Sequence, residues 1–283
     1  MWGMKKMQNS REFFRWSFTG ALARCAVFVS AIVSLTCCAV TEVPSPVAWW
    51  KMDSLDHDGL VPDATGNGHA LELGADATVK DDPFLGKALR LEGTRDSWAR
   101  TVDGISVGSR SVSAWLFREE GVGPLGVDVN KITYLLNNFS GSGVNWPGAG
   151  LGIRYLMDGV IAYEGIASAR GKWTHYVWTV EVTGVNDGVC TYHHTVYVNG
   201  GETVRAASNL TANAANVFNR EQRVVVGNIS VGGERPVYGM VGDMRLFDTV
   251  LTPDEAKELY LGTVHGRPSR TVGFWDMDSL SEN

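Results

Sequence analysis

The chain has 283 residues, 44% of them hydrophobic and 20% charged, with 33 glycines and 4 cysteines. That make-up excludes intrinsic disorder, a collagen-like repeat and a disulfide-built scaffold. Lys+Arg number 25 against 31 Asp+Glu, for a formal charge of -6; five of the basic residues and one acid fall in the first 39, so the rest, with 20 basic against 30 acidic, stands at -10. Such acidity argues against a nucleic-acid partner or an anionic membrane surface, both of which favour a basic face.

The first segment reads as an address and not as part of the fold. Lys5, Lys6, Arg11, Arg15 and Arg24 precede an apolar run from Cys25 to Leu35, the pattern of a secretory signal. The run is about eleven residues, short of the roughly twenty that span a bilayer. Residues 1–39 are therefore expected to direct the chain out of the cytoplasm, and two exits can be drawn. One is cleavage after Ala39, for plain secretion; the other is lipid attachment at Cys37 or Cys38, for a membrane-anchored lipoprotein whose contact with the membrane would be that anchor. Beyond this segment a single cysteine remains, Cys190, so no intrachain disulfide can form there, and Cys190 reads as a small buried hydrophobe in a strand.

Taken in chain order, strand signals fall at 47–52, 88–92, 111–117, 131–136, 152–156, 160–163, 173–182, 190–198, 223–229 and 239–247, with Gly, Asn, Asp and Pro between them. Many short strands without intervening helical periods predict an all-β fold, a two-sheet antiparallel β-sandwich of the jelly-roll kind. Large aromatics in those strands, Trp50, Trp115, Trp173 and Trp178, are expected to fill the space between the sheets. Asn199-Gly200 is the pair that a tight type I′ hairpin needs. One helix is predicted, Pro253 to Leu261. Thr252 and Glu255 form its capping box, Pro253 suits its first position, Ala256, Leu259 and Tyr260 share a face, and Gly262 ends it.

Several motifs recur in a familiar order. Trp49-Trp50-Lys51-Met52-Asp53 is followed by Asp63-Ala64-Thr65-Gly66-Asn67-Gly68, then by Gly86-Lys87-Ala88-Leu89-Arg90-Leu91-Glu92-Gly93. Ser111-Val112-Ser113-Ala114-Trp115-Leu116, Gly171-Lys172-Trp173-Thr174-His175-Tyr176-Val177, Tyr197-Val198-Asn199-Gly200 and the stretch Gly239 to Tyr260 complete the set. In this order they resemble the laminin-G-like branch of the concanavalin A-like lectin/glucanase superfamily, over about residues 47–262. The resemblance implies a domain that binds a glycan or polysaccharide, or else an adhesive module for a protein surface, or an accessory domain of a larger extracellular enzyme. It also implies a structural calcium ion near the first and last strands, with Asp53, Asp63, Asn67 and Asp243 as ligands. Gly242-Asp243 departs from that pattern, because an acid pair commonly stands there.

Catalysis finds little support. The superfamily's glucanase branch uses a Glu-x-Asp-x-x-Glu strand, which is absent here, and two carboxylates of a retaining hydrolase must sit about 5 Å apart. Glu119-Glu120 and His193-His194 are adjacent pairs that a strand would point to opposite faces, and His175 belongs to the tryptophan motif as a structural residue. For ligand binding the candidates are Trp98, flanked by Arg95 and Arg100, and Trp146 in the glycine-rich stretch 140–150, all outside clear alternation. Finally, Val272-Gly273-Phe274-Trp275-Asp276-Met277-Asp278-Ser279-Leu280 repeats Val47 to Leu55 at six of nine positions. Residues 263–270 are thus expected to be a linker and 271–283 the start of a second copy; pairing of this strand with an exposed sheet edge is the other explanation.

Overall fold

The computed structural model describes residues 42–105, 110–121, 123–124, 133–138, 142–146, 153–157, 160–166, 170–213 and 223–265, with the backbone alone in the strands between 133 and 166 and over most of 202–213. The chain divides into two units, Met1–Ala39 and Val40–Asn283, and all the described residues belong to the second. The segment 1–39 expected to be a signal, with Cys37 and Cys38, and the stretch 271–283 expected to begin a second copy lie outside the described residues. Among the described residues no helix is long and apolar enough to cross a membrane.

Among the described residues the unit has fifteen strands and one helix: β1 (Ala48–Trp50), β2 (Leu71–Leu73), β3 (Ala77–Asp82), β4 (Gly86–Glu92), β5 (Ala99–Thr101), β6 (Arg110–Arg118), β7 (Thr133–Asn138), β8 (Ser142–Trp146), β9 (Ile153–Met157), β10 (Val160–Ile166), β11 (Trp173–Asn186), β12 (Val189–Val198), β13 (Gly201–Asn213), β14 (Val225–Val226), β15 (Tyr238–Phe247) and α1 (Pro253–His265). An eight-stranded sheet runs β13-β12-β11-β6-β15-β4-β3, with β1 also on β15, and a seven-stranded sheet runs β10-β9-β8-β7-β14-β5-β2. All the strand pairings are antiparallel. This is the predicted two-sheet sandwich.

Strand alternation decides what enters the core. Val112, Ala114 and Leu116 of β6, Tyr176, Trp178 and Val180 of β11, and Cys190, Tyr192 and Val196 of β12 pack with Trp50, Leu71, Leu89, Leu91, Ala99 and Val226 in one buried cluster. Trp50 and Trp178 are thus between the sheets, as expected. Trp115 and Trp173 are not, because the period of two that sends Ala114, Leu116 and Trp178 inward sends Trp115 and Trp173 outward. Trp115 instead meets Phe84, His175 and Tyr260, with ring centroids 5.0, 5.1 and 5.7 Å away. Trp173 lies against Phe84 and Phe117 and donates its indole N–H to Asp82 at 3.1 Å. The outer face of the larger sheet therefore carries an aromatic layer, and α1 lies beside it.

The helix buries Leu251, Ala256 and Leu259 against Val177, Tyr197 and Phe247. Its start is the predicted capping box: the Glu255 amide donates to Thr252 Oγ1 at 3.3 Å, and the Thr252 amide to Glu255 Oε2 at 2.6 Å. Its end is not at Leu261 but at His265, so the expected linker overlaps the helix. Nothing lies within 4 Å of a side chain placed at Gly262, and the next turn is held by Thr263, whose hydroxyl donates to Asp243 at 3.0 Å. The Asn199-Gly200 turn has φ of 50° and 75°, and Asp187-Gly188 repeats it with 49° and 76°, both the double positive φ that a two-residue I′ hairpin requires.

Candidate functional site

Two places gather the candidate residues. The first is the junction of β1 and β15. Against β6, β15 carries a bulge between Gly242 and Arg245, and Asp243 within it has φ of 44°. The bulge divides the strand: Tyr238–Val241 pair with β4, and Met244–Leu246 pair with β1. It also turns the Asp243 carboxylate into a set of donors. Trp49 Nε1 donates to Oδ1 at 2.6 Å, Arg245 donates from Nε to Oδ1 at 3.0 Å and from Nη2 to Oδ2 at 2.9 Å, and Thr263 completes the set. The Arg245 guanidinium lies 4.3 Å from the centroid of the Trp49 ring. Burial works to raise the Asp243 pKa, but the Arg245 charge and these hydrogen bonds outweigh it and hold the carboxyl below 3.8.

The other three residues expected to bind calcium are elsewhere in purpose. Asp63 Oδ1 accepts from the Trp49 amide at 3.0 Å, the Thr65 amide at 3.0 Å and the Thr65 hydroxyl at 2.8 Å, and Oδ2 accepts from the His69 amide at 3.2 Å. Burial pulls its pKa up, and these donors pull it further down. Asn67 Nδ2 donates to the Val47 carbonyl at 2.8 Å, and Asp53 is exposed and accepts from Ser54. Calcium wants six to eight oxygens with free lone pairs. At Asp243 the lone pairs are taken by N–H and O–H donors and the positive charge is supplied by Arg245, so this donor set does not fit the ion. Among the described residues the grouped metal-ligand side chains are Asp56, His57 and Asp58, on a surface turn where Asp56 Oδ1 caps the Asp58 and Leu60 amides.

The second place is a rim built by three loops: Gly74–Asp76 after β2, Gly93–Trp98 after β4, and Gly227–Val237 after β14. Each is fixed internally. Ser97, wholly buried, accepts from the Glu92 and Thr94 amides at 2.8 and 3.3 Å and donates to the Asp76 carbonyl. Thr94 Oγ1 donates to Asp76 at 2.6 Å. Asn228, also wholly buried, donates to the Arg95 and Gly233 carbonyls and accepts from the Ile229 and Arg235 amides. Asn228 is consequently part of the loop's frame.

On this rim the structure brings together three of the four candidate ligand residues. Glu72, Trp98 and Arg100 lie on the outer face of the smaller sheet, since Leu71 and Thr101, paired with each other, face the core. Gly74 follows two residues after Glu72 and pairs with Trp98 through its amide at 2.8 Å. A Cβ at Gly74 would come within 2.7 Å of Trp98 Nε1 and 2.1 Å of the Asp96 carbonyl oxygen. The missing side chain is the space in which the half-buried indole lies. Arg100 holds Glu72 through Nε at 2.6 Å and Nη2, with its guanidinium 5.7 Å from the Trp98 centroid. Arg95 pairs with Glu234 across the loops, both side chains more than half exposed. Trp146 is the last residue of β8, not a loop residue; β8 stands three strands from β5 in sheet order, roughly 14 Å, and its side chain lies outside the described residues. Glu72, Gly74 and Glu234 escaped the sequence reading. The alternation around Leu71 and Leu73 marks Glu72 as outward, but only the strand register puts it beside Arg100.

His175 and His194 are buried. His175 is 2% exposed and shares a 2.8 Å hydrogen bond with Ser113; burial, with Arg245 adding to it against Asp243, lowers its pKa to about 3. His194 faces the core and His193 the solvent, as adjacent strand residues must. Burial brings His194 to about 4 despite its hydrogen bond to the Thr179 carbonyl.

No known family matches the chain, and no curated protein matches it. Many solved structures do. Domain 4 of a GH43 extracellular arabinanase from Geobacillus stearothermophilus, solved with arabinotriose, is 21% identical with a TM-score of 0.55, over 77% of this chain and 100% of that one. The ligand-binding domain of botulinum neurotoxin serotype D, solved with N-acetylneuraminic acid, is 14% identical with a TM-score of 0.52, over 77% of this chain and 51% of that one. A Trypanosoma rangeli sialidase bound to 2,3-difluorosialic acid is 16% identical with a TM-score of 0.55, over 78% and 34%. At these identities the likeness is one of fold: a β-sandwich that also serves as a domain of larger proteins.

Proposed function

We propose that this sandwich is a non-catalytic carbohydrate-binding module of the laminin-G-like kind, acting outside the cytoplasm on a glycan or polysaccharide at the rim around Trp98. The observation that carries the reading is the indole of Trp98, seated over Gly74 with the Arg100–Glu72 pair beside it and the Arg95–Glu234 pair on the same rim of loops. An aromatic ring gives a sugar's C–H face an apolar surface, and neighbouring charged groups give its hydroxyls both donors and acceptors. That an arabinanase domain of the same fold and full coverage is solved with arabinotriose supports the class of ligand. In this reading Arg95 and Arg100 bind hydroxyls.

The test is binding of the purified domain to a panel of soluble polysaccharides, followed by melting temperature, since a ligand of the native state raises it. A shift that Trp98→Ala removes without lowering the unliganded melting temperature by more than a few degrees supports the rim. A shift unaffected by Trp98→Ala and by Arg100→Ala places any binding elsewhere. A second reading, a module for a protein surface, has its own observation: Val185 and Val189 at the far end of the β11–β12 hairpin are 57% and 46% exposed. A chain acylated at Cys37 or Cys38 would present either surface from a membrane, and detergent partitioning of wild type against the double Cys→Ser variant tests that anchor.

A further inference from the structure

The charge arrangement of the rim says which sugars it takes. The Arg100 guanidinium stands beside Trp98 and Arg95 lies on the same loop, and each already holds a carboxylate: Arg100 has Glu72 and Arg95 has Glu234. Asp76 and Asp96 are exposed in the same loops, Asp76 tied to Thr94. With Arg235 on the neighbouring loop, these segments carry three positive side chains and four negative ones, in a unit that is itself acidic.

We infer, resting on the carbohydrate reading of this rim, that it selects uncharged sugars over acidic ones, with Glu72 and Glu234 setting the preference. A uronic or sialic acid reaching Trp98 would have to take a guanidinium away from an intramolecular carboxylate already in place, and would meet surplus negative charge as it did so. A neutral sugar loses nothing by those pairs. Each guanidinium keeps N–H donors that its carboxylate does not use, and each carboxylate keeps lone pairs for a hydroxyl. The acids that exclude an anion thus serve as acceptors for a polyol. Selectivity of this kind works by making the wrong ligand unfavourable as well as the right one favourable.

The experiment compares wild type with the Glu72→Gln, Glu234→Gln double variant on two neutral polymers, arabinan and galactan, and two acidic ones, polygalacturonate and polysialic acid. Glutamine keeps the shape and a hydrogen bond to each arginine, the exposed Arg95–Glu234 pair contributes little to folding, and a melting curve checks that the variant is native. Wild type is expected to bind a neutral polymer and neither acidic one. The variant is expected to lower the neutral-to-acidic affinity ratio at least tenfold, with the new acidic binding lost in 0.5 M salt. Acidic polymer bound by wild type as tightly as neutral, or an unchanged ratio in the variant, overturns the inference and leaves the carbohydrate reading standing. Binding to none of the four by either protein removes that reading and the inference with it.

Discussion

At the scale of single residues, Gly74 shows what a glycine can do without an unusual backbone. Its role is the space above it: any Cβ meets the Asp96 carbonyl and the Trp98 indole, and the first of these is backbone that cannot swing aside. Gly74→Ala is expected to cost about 1 to 3 kcal/mol, as overpacking does, and to displace Trp98. A urea melt checks the first and loss of saccharide binding the second; a neutral effect on both would show that the indole lies elsewhere. His175 and His194 give a pH signature. Both are neutral in the fold, at about 3 and 4, against 6.5 when unfolded. Below pH 6.5 the unfolded chain takes up protons that the fold refuses, so stability falls with falling pH, by about 1.4 kcal/mol per pH unit for each histidine until its folded value is reached. Asp63 and Asp243, with lowered values, add a further loss only below about their ordinary 3.8. Urea midpoints from pH 7 to 5 should decline in wild type and less steeply in His194→Gln.

At the scale of elements, β15 and α1 depend on one another through Asp243. Arg245→Gln removes the cation from a half-buried pair and is expected to cost about 2 to 3 kcal/mol, whereas Thr252→Ala removes only a helix cap, about 1 kcal/mol. Because Arg245 already supplies the positive charge, neither calcium nor a chelator should move the melting temperature of the wild-type domain; a calcium-dependent rise that Asp243→Asn abolishes would overturn that. The sequence showed these elements unevenly. The capping box and the Asn199-Gly200 turn are local chemistry and could be read directly. The end of α1 could not, since Thr263 continues the helix to reach a carboxylate twenty residues earlier. Nor could the outward turn of Trp115 and Trp173: alternation groups residues into two faces, but only the second sheet decides which face is inside.

At the scale of the whole molecule, the sandwich was legible from strand count and turn spacing, while the rim was legible only in part. Arg95, Trp98 and Arg100 are close in sequence and drew attention together. Glu72, Gly74 and Glu234 come from other loops, and long-range register has no short sequence signature. One further consequence follows from the bulge at Asp243. Trp49 reaches that carboxylate across 194 positions of sequence, and among the described strands β1 pairs with β15 alone. β1 therefore waits for its partner until a strand some 194 positions later has been made. At 5 to 20 residues per second that wait is roughly 10 to 40 s, during which two adjacent tryptophans remain uncovered. Folding of this domain is thus timed by the synthesis of β15, and a ribosome stalled before Tyr238 is expected to hold β1 unpaired.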